Sequence, residues 1–220
     1  MYMIIVGVGE IGKSLIKLAS KGSNDLVVIE TDRDRAEDIS RNFDLEVYNT
    51  DATSEQILKE AGADRADALV ATTSDDATNL MVMSLGRELD IPSLVSVVNN
   101  SSHTKLFRAQ GANIMENPEE LVAEYLYNAI KRPKIKDFLT LSGEARVFKA
   151  TVSSDSPIVD YTLEEAKKQG ILPDTTLIIA IERKGETMVP SGATELQEGD
   201  SLTVFSKEWA SDEMLRKITG

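Results

Sequence analysis

Short runs of β-branched and aliphatic residues recur through the first half of the chain: MIIV (3–6), LVVIE (26–30), LEVYN (45–49), ALVA (68–71), SLVSVV (93–98) and ANIM (112–115). Most are apolar at consecutive positions, the pattern of parallel strands buried on both faces. Between them the apolar spacing becomes helical, and the start signals can be named. Asp32 precedes 33–41, Thr53 with Gln56 three residues on reads as a capping box, Ser74 precedes 75–89, and Ser101 or Ser102 precedes 103–110. Six strands separated by helices predict an α/β fold, a doubly wound parallel sheet with right-handed crossovers.

The alternation then stops. After a helix near 118–131, Pro133 ends the helical pattern, and the charged stretch KRPKIKDF reads as a hinge. Beyond it, ARVFKATV (145–152), TTLIIAIERKG (175–185) and DSLTVFS (200–206) read as strands, separated by a short helix (162–170) and the turn-rich 188–200. The expected organisation is a nucleotide-binding domain over 1–132 followed by a small α+β domain over 136–220.

Composition narrows the function. The chain of 220 residues carries a formal charge of −13 with a pI near 4.6. The first 132 residues hold 13 basic and 22 acidic side chains, the remainder 11 and 15. Neither half is a basic module, so no nucleic-acid partner is expected. Zero cysteines exclude disulfides, thiolate nucleophiles and cysteine-ligated metal, and His103 is the single imidazole. No apolar run approaches the roughly 18 residues of a membrane span, and no signal-peptide pattern opens the chain. Direct membrane insertion is not expected; the reading is a cytoplasmic protein whose membrane role would pass through a partner.

The candidate chemistry begins at Gly7-Val8-Gly9-Glu10-Ile11-Gly12, which follows the first strand and opens a helix with Ile11, Leu15 and Leu18 on one apolar face. In a Rossmann-like unit Gly7 permits the tight turn, Gly9 lets backbone approach a pyrophosphate, and Gly12 lets helix and strand pack closely. The helix N-terminus supplies amides and partial positive charge to phosphates. Eighteen residues after Gly12, Glu30 ends the second strand, where a carboxylate accepts from ribose hydroxyls. That favours NAD over NADP despite nearby Arg33 and Arg35, and leaves ATP or ADP open. Thr31, Asp32 and Arg35 follow directly. Two further loops fall at strand ends: Asn49-Thr50-Asp51-Ala52-Thr53 on the adenine side, and Thr72-Thr73-Ser74-Asp75 beside the glycine turn, with Asn79 one helical turn beyond. Thr53 reads equally as a helix cap, and Ser74 mainly as one.

The run GVGEIGKSL, then VVIETD, then NTDATSEQILKEAGADRADALVATTSDDATNL resembles the N-terminal domain of the TrkA family, the RCK (KTN) domains that regulate potassium transport. GANIMENPEELVA resembles the same domain's closing strand and helix. LIIAIERKGETMVPSGATELQEGDSLTVF is similar to the small companion domain, carried by Arg183, Gly185, Pro190, Gly199, Asp200 and Leu202. The resemblance covers nearly the whole chain in family order. It implies a cytosolic regulatory subunit, peripheral to the membrane, that binds NAD(H) or ATP/ADP. It further implies a homo-oligomer, from dimer to ring through the first domains, that gates a membrane-embedded potassium transporter or channel subunit. It also supports Gly7, Gly9, Gly12, Glu30, Asp51 and Thr72 to Asp75 as nucleotide contacts. Two departures stand out: many relatives carry Ala-Arg after strand five where this chain has Ser96-Val97, and Asp160-Tyr161 precedes the short helix where glycine is frequent.

An NAD-dependent oxidoreductase is the alternative, but it needs an acid/base near the nicotinamide. His103 lies at a helix start away from the glycine turn, and no metal-ligand or catalytic spacing stands out. The expectation is a sensor without catalytic residues or a metal site. A free-standing gating ring is a further alternative, its second domain sensing another ligand near Arg183 and Pro190. Leu80, Met83, Phe107, Leu121, Tyr125 and Leu126 are candidate self-association residues.

Overall fold

The computed structural model describes residues 1–141, 145–208 and 212–220. Its internal contacts divide the chain into Met1–Val122 and Ala123–Gly220.

The first unit contains β1 (Tyr2–Val6), α1 (Glu10–Ala19), β2 (Asp25–Ile29), α2 (Arg33–Asn42), β3 (Glu46–Tyr48), α3 (Glu55–Glu60), β4 (Ala68–Ala71), α4 (Asp76–Glu88), β5 (Ser93–Val98), α5 (Thr104–Ala109) and β6 (Asn113–Glu116). The strands are all parallel in the order β3-β2-β1-β4-β5-β6. Because successive strand residues face opposite sides, each strand feeds two cores. Ile4, Val6, Leu69 and Ala71 pack with Leu58, Met83 and Phe107. Ile5 and Val28 pack with Ile16 of α1 and Ile39 of α2 on the other face. After β3 the chain crosses to β4 beside β1, and this reversal opens a crevice beyond the C-terminal strand ends.

Local chemistry departs from the sequence reading at several helix starts. Asp32 caps α2 as expected, accepting from the Arg35 amide at 3.0 Å. Thr53 does not cap α3: Ser54 holds that position without a side-chain bond, and the Thr53 hydroxyl turns back to Asp51 Oδ1 at 2.8 Å. Ser74 does not cap α4 either, because the Asp75 carboxylate receives the Ala77 and Thr78 amides. A carboxylate is the stronger acceptor for amides at a helix N-terminus. A 3₁₀ turn over Ser101–His103, capped by Asn100, precedes α5. Met83 and Phe107 are fully buried and belong to the core, whereas Leu121, Tyr125 and Leu126 are exposed.

α6 (Pro118–Lys131) spans the division between the units. The second unit continues with β7 (Ile135–Thr140), β8 (Arg146–Thr151), α7 (Leu163–Lys168), β9 (Thr176–Arg183), β10 (Glu186–Met188), β11 (Ser201–Ser206) and α8 (Asp212–Thr219). The sheet is antiparallel in the order β10-β9-β11-β8-β7. The expected hinge therefore contains an edge strand, β7. Its charged, interrupted pattern is that of an edge strand with a bulge between Lys136 and Leu139. β9 turns into β10 through Lys184 and Gly185, both with positive φ, the backbone of a tight hairpin. Neither β10 nor α8 was anticipated from sequence.

Asp160 adopts φ 65°, a left-handed backbone that glycine adopts freely and aspartate tolerates. A capping box lies here, with Thr162 and Glu165 exchanging bonds at the start of α7. Asp200 is fully buried, and Arg183 grips it at 2.7 and 2.8 Å while also donating to the Glu195 carbonyl. Hydrogen bonding to Asp200 raises the Arg183 guanidinium above its ordinary value. Arg183 is thus a structural clamp between β9 and the turn before β11, engaged in a role other than lining a ligand pocket.

Candidate functional site

A cleft of about 270 Å³ opens at the strand ends of the first unit. It is lined by Val6, Gly7, Gly9, Ile29, Glu30, Thr31, Arg35, Thr50, Asp51, Ala52, Thr72, Thr73, Ser74, Asp75 and Thr78. Segments separated by dozens of residues, from β1, β2, β3 and β4, converge there as the crossover topology requires.

Glu30 organises the cleft. Its side chain is buried with the residue 6% exposed, and Oε2 accepts the Val8 amide at 2.7 Å while Oε1 accepts the Asp32 amide at 2.8 Å. The glycine turn is therefore tied to the end of β2 through one carboxylate. Asn49 secures the same strand end, donating to the Glu30 and Thr31 carbonyls at 2.9 Å each. Gly7 has φ 87°, a conformation that favours glycine. A Cβ on Gly12 would collide with the Gly7 carbonyl oxygen and lie 2.7 Å from Thr72 Oγ1, whereas a Cβ on Gly9 would meet nothing within 4 Å. The two glycines serve different ends: Gly12 allows packing, and Gly9 keeps the mouth of the turn open.

α1 begins at Gly9 without a side-chain cap, while α2 and α4 are closed by Asp32 and Asp75. An uncapped helix start beside an open glycine presents amides and positive potential to an anion. The turn thus offers an anion a receptive helix start, and Glu30 and Asp51 line the cleft beside it. The lining carries three carboxylates, Glu30, Asp51 and Asp75, against one cation, Arg35. Hydrogen bonds from the Thr78 hydroxyl and amide hold the Asp75 carboxyl below its usual range.

Not every expected residue faces the cleft. Val8 is buried in the α1 and α2 core, and its amide is already given to Glu30. Glu10 and Ile11 are exposed on α1, Gly12 is buried, and Asp32 caps α2. Asn79 is fully buried and wraps Thr73: Oδ1 accepts its amide at 3.1 Å and its hydroxyl at 2.7 Å, and Nδ2 donates to its carbonyl at 2.9 Å. Asn79 positions the loop and does not line the cleft. Val6, Ile29 and Thr78 were missed; the first two end their strands, and Thr78 lies three residues beyond Asp75, a spacing that could have revealed it. Val97 lies inside β5, 5% exposed, paired in register with Met115 of β6. The expected vacant arginine position is a packed strand position.

Asp76 and His103 form a pair the sequence did not suggest. The Asp76 carboxylate accepts the Asn99 and Asn100 amides at 2.7 and 2.9 Å, the Asn99 side chain at 2.9 Å, and approaches His103 Nδ1 at 2.8 Å. Burial alone would raise this carboxyl, but these partners outweigh it and hold it below the usual aspartate value. The pair fastens the β5–α5 loop to α4. Among the described residues no cluster of three or more acidic, histidine or cysteine side chains could hold a metal.

Two outcomes follow from this geometry. Gly9→Ala should keep wild-type stability in chemical denaturation yet lose nucleotide binding by calorimetry, while Gly12→Ala should lose about 1–3 kcal/mol through overpacking; equal stability of the two variants would contradict the assigned roles. Asp76→Asn should be destabilised at neutral pH by about 1–3 kcal/mol. A depressed carboxyl contributes stability above its unfolded pKa and loses it as pH falls through the folded one. The gap to wild type should therefore narrow only below about pH 4 in denaturation curves.

The TrkA-N domain matches residues 3–118 and the TrkA-C domain residues 147–219. A Trk system potassium uptake protein TrkA homolog of Methanothermobacter thermautotrophicus is 30% identical over 221 residues, covering 100% of both chains. Its counterpart in Pyrococcus abyssi is 28% identical, covering 96% of this chain and 94% of that one. Among solved structures, the GsuK channel bound to NAD superposes with a TM-score of 0.63 at 22% identity, and the GsuK RCK domain with 0.62 at 21%. This chain spans 39% and 47% of those chains, which share its fold. No described helix is long and apolar enough to cross a membrane. The chain belongs to the TrkA family.

Proposed function

We propose that this chain is a nucleotide-sensing regulatory subunit of a potassium uptake system or channel. NAD(H) or an adenine nucleotide is held in the cleft as an allosteric effector. The chain acts as a homo-oligomer at the cytoplasmic face of the membrane, through a membrane-embedded transporter or channel partner. The observation that carries the reading is Glu30, whose carboxylate ties the glycine turn to the start of α2 at the cleft. The TrkA homologs and the NAD-bound GsuK channel support it. The ADP-bound form of GsuK supports an adenine nucleotide equally.

The charge of the cleft argues against a preference for the most highly charged ligand. Each phosphate added beyond a pyrophosphate meets three carboxylates and one guanidinium. A dinucleotide instead extends over the ends of β4 and β5, toward a second polar cleft that shares Ser74 and is lined by Asn99, Asn100, Ser101 and Asn117. Arg35 is the group available to offset a 2′-phosphate, but Glu30 stands at the same strand end.

The oxidoreductase reading draws on one specific observation, the Asp76–His103 pair, since a carboxylate-oriented imidazole is the usual general base. Asp76, however, is spent on two loop amides, and His103 lines neither cleft.

Calorimetric titration of the full chain with NAD⁺, NADH, NADP⁺, ADP and ATP at fixed salt tests the proposal. NAD⁺ or NADH should bind at least as tightly as ATP, and NADP⁺ roughly tenfold more weakly or worse, about 1.4 kcal/mol. NADH absorbance should stay constant on prolonged incubation. No binding of any of the five would overturn the sensor reading. ATP preferred more than tenfold over both ADP and NAD⁺ would overturn the charge argument, and steady NADH oxidation would establish an enzyme.

A further inference from the structure

The peptide group between Gly7 and Val8 is held at both of its polar ends. Its N–H, on Val8, donates to Glu30 Oε2 at 2.7 Å, and its C=O, on Gly7, accepts the Thr72 hydroxyl at 2.8 Å. The two side chains come from opposite neighbours of β1, Glu30 from the end of β2 and Thr72 from the end of β4. A peptide group is planar with its N–H and C=O pointing in opposite directions, so bonds at both ends fix the orientation of the whole plane. Sheet register places Thr72 for this. Its amide donates to the Val6 carbonyl at 2.8 Å, which continues the β1–β4 ladder by one residue and brings the hydroxyl beside the next carbonyl, that of Gly7. Thr72 is 8% exposed, so water scarcely competes for the bond. Gly12 makes the room: a Cβ there would strike the Gly7 carbonyl oxygen and lie 2.7 Å from Thr72 Oγ1. The other side of Gly7 is backed by Thr73, whose Cγ2 would stand 2.8 Å from a Cβ on Gly7.

We infer that Thr72 is a positioning residue for anion binding at the glycine turn, acting through the Gly7 carbonyl and not by touching nucleotide. A carbonyl oxygen is the group in such a turn that repels a phosphate. Here the Gly7 oxygen is packed against Thr72 and Gly12, and the Val8 amide is spent on Glu30. The first bond of α1 runs from the Lys13 amide to the Gly9 carbonyl, so the amides from Glu10 to Gly12 precede the helix's own ladder and are the ones left to an anion. Threonine suits the position because its branched Cβ restricts the rotamer while its hydroxyl supplies the donor. Valine has the same shape without the donor, and it would leave a buried carbonyl unsatisfied. The hydroxyl's proton is committed within the chain, which moves Thr72 from the contacts expected of the sequence to the frame that holds them. The inference rests on the reading of the cleft as a nucleotide site, and it names the residue that completes the turn opposite Glu30.

Full-length Thr72→Val and Thr72→Ser chains are compared with wild type by calorimetry with NAD⁺ and with ADP, and by NMR amide exchange without ligand. Thr72→Val should bind both nucleotides about tenfold more weakly and should exchange its Val8 amide several-fold faster in the ligand-free state. Thr72→Ser, which keeps the donor, should return both readings to within about threefold of wild type. A merely structural role lowers the folded fraction, and so the binding stoichiometry, while leaving the dissociation constant of the folded protein unchanged. Unchanged affinity in Thr72→Val, or no rescue by serine, overturns the inference. Weakened affinity with unchanged Val8 exchange also overturns it, because that combination marks a hydroxyl touching the ligand directly. Wild type supplies a reading that does not depend on the variant folding: the Thr72 hydroxyl proton of the ligand-free chain should persist long enough to be observed by NMR, and its rapid exchange with water overturns the inference. Wild-type binding that survives Thr72→Val undiminished rejects this inference alone, whereas lack of any binding by wild type rejects the sensor reading and the inference with it.

Discussion

One buried carboxylate holds the first unit's cleft together. Glu30 sits at the end of β2 and accepts amides from the glycine turn after β1 and from the start of α2. A buried charge is costly unless it is hydrogen-bonded, and here two backbone donors meet that need. The same bonds fix the glycine turn at the mouth of the cleft. The turn is thus shaped by an interaction within the chain, and a ligand meets amides already aimed. Such preorganisation lowers the ordering cost of binding.

A second tier of polar groups leads away from the cleft. Thr73 lines it, Asn79 encloses Thr73 and reaches the Val97 carbonyl, and Asn99 reaches the Thr73 carbonyl while its amide goes to Asp76. The loop after β4 is therefore bonded to the end of β5 through the fully buried Asn79 and to the loop after β5 through the exposed Asn99. These bonds connect Thr73, at the cleft, to the loop that precedes α5. Each bond has one geometry, so displacement at one end must be absorbed or transmitted at the other.

Much of this was legible in the sequence because it depends on local pattern. Consecutive apolar runs set the parallel sheet, and Gly7, Gly9, Gly12, Glu30 and the loops at Asp51 and Thr72 sit at strand ends that topology brings together. What was not legible depends on tertiary partners. β7 hides in a charged segment because an edge strand keeps polar side chains on its exposed positions. Asp75 displaced Ser74 as a cap because neighbouring residues compete for the same amides. Asn79 looked like a ligand contact, and only its full burial reveals a loop-holding role. Asp76 and His103 are 27 residues apart, and nothing in their spacing announces the pair. The family resemblance supplied the order of the two domains, while the left-handed backbone of Asp160 became visible only in the structure.

The central claim is that Glu30 shapes the glycine turn before nucleotide arrives. Amide hydrogen exchange at Val8, resolved by NMR in the ligand-free chain, tests it most directly. The account predicts strong protection of the Val8 amide without ligand, little change on adding NAD⁺, and loss of that protection in Glu30→Ala while the β1 amides stay protected. A Val8 amide that exchanges freely until nucleotide is added would contradict it.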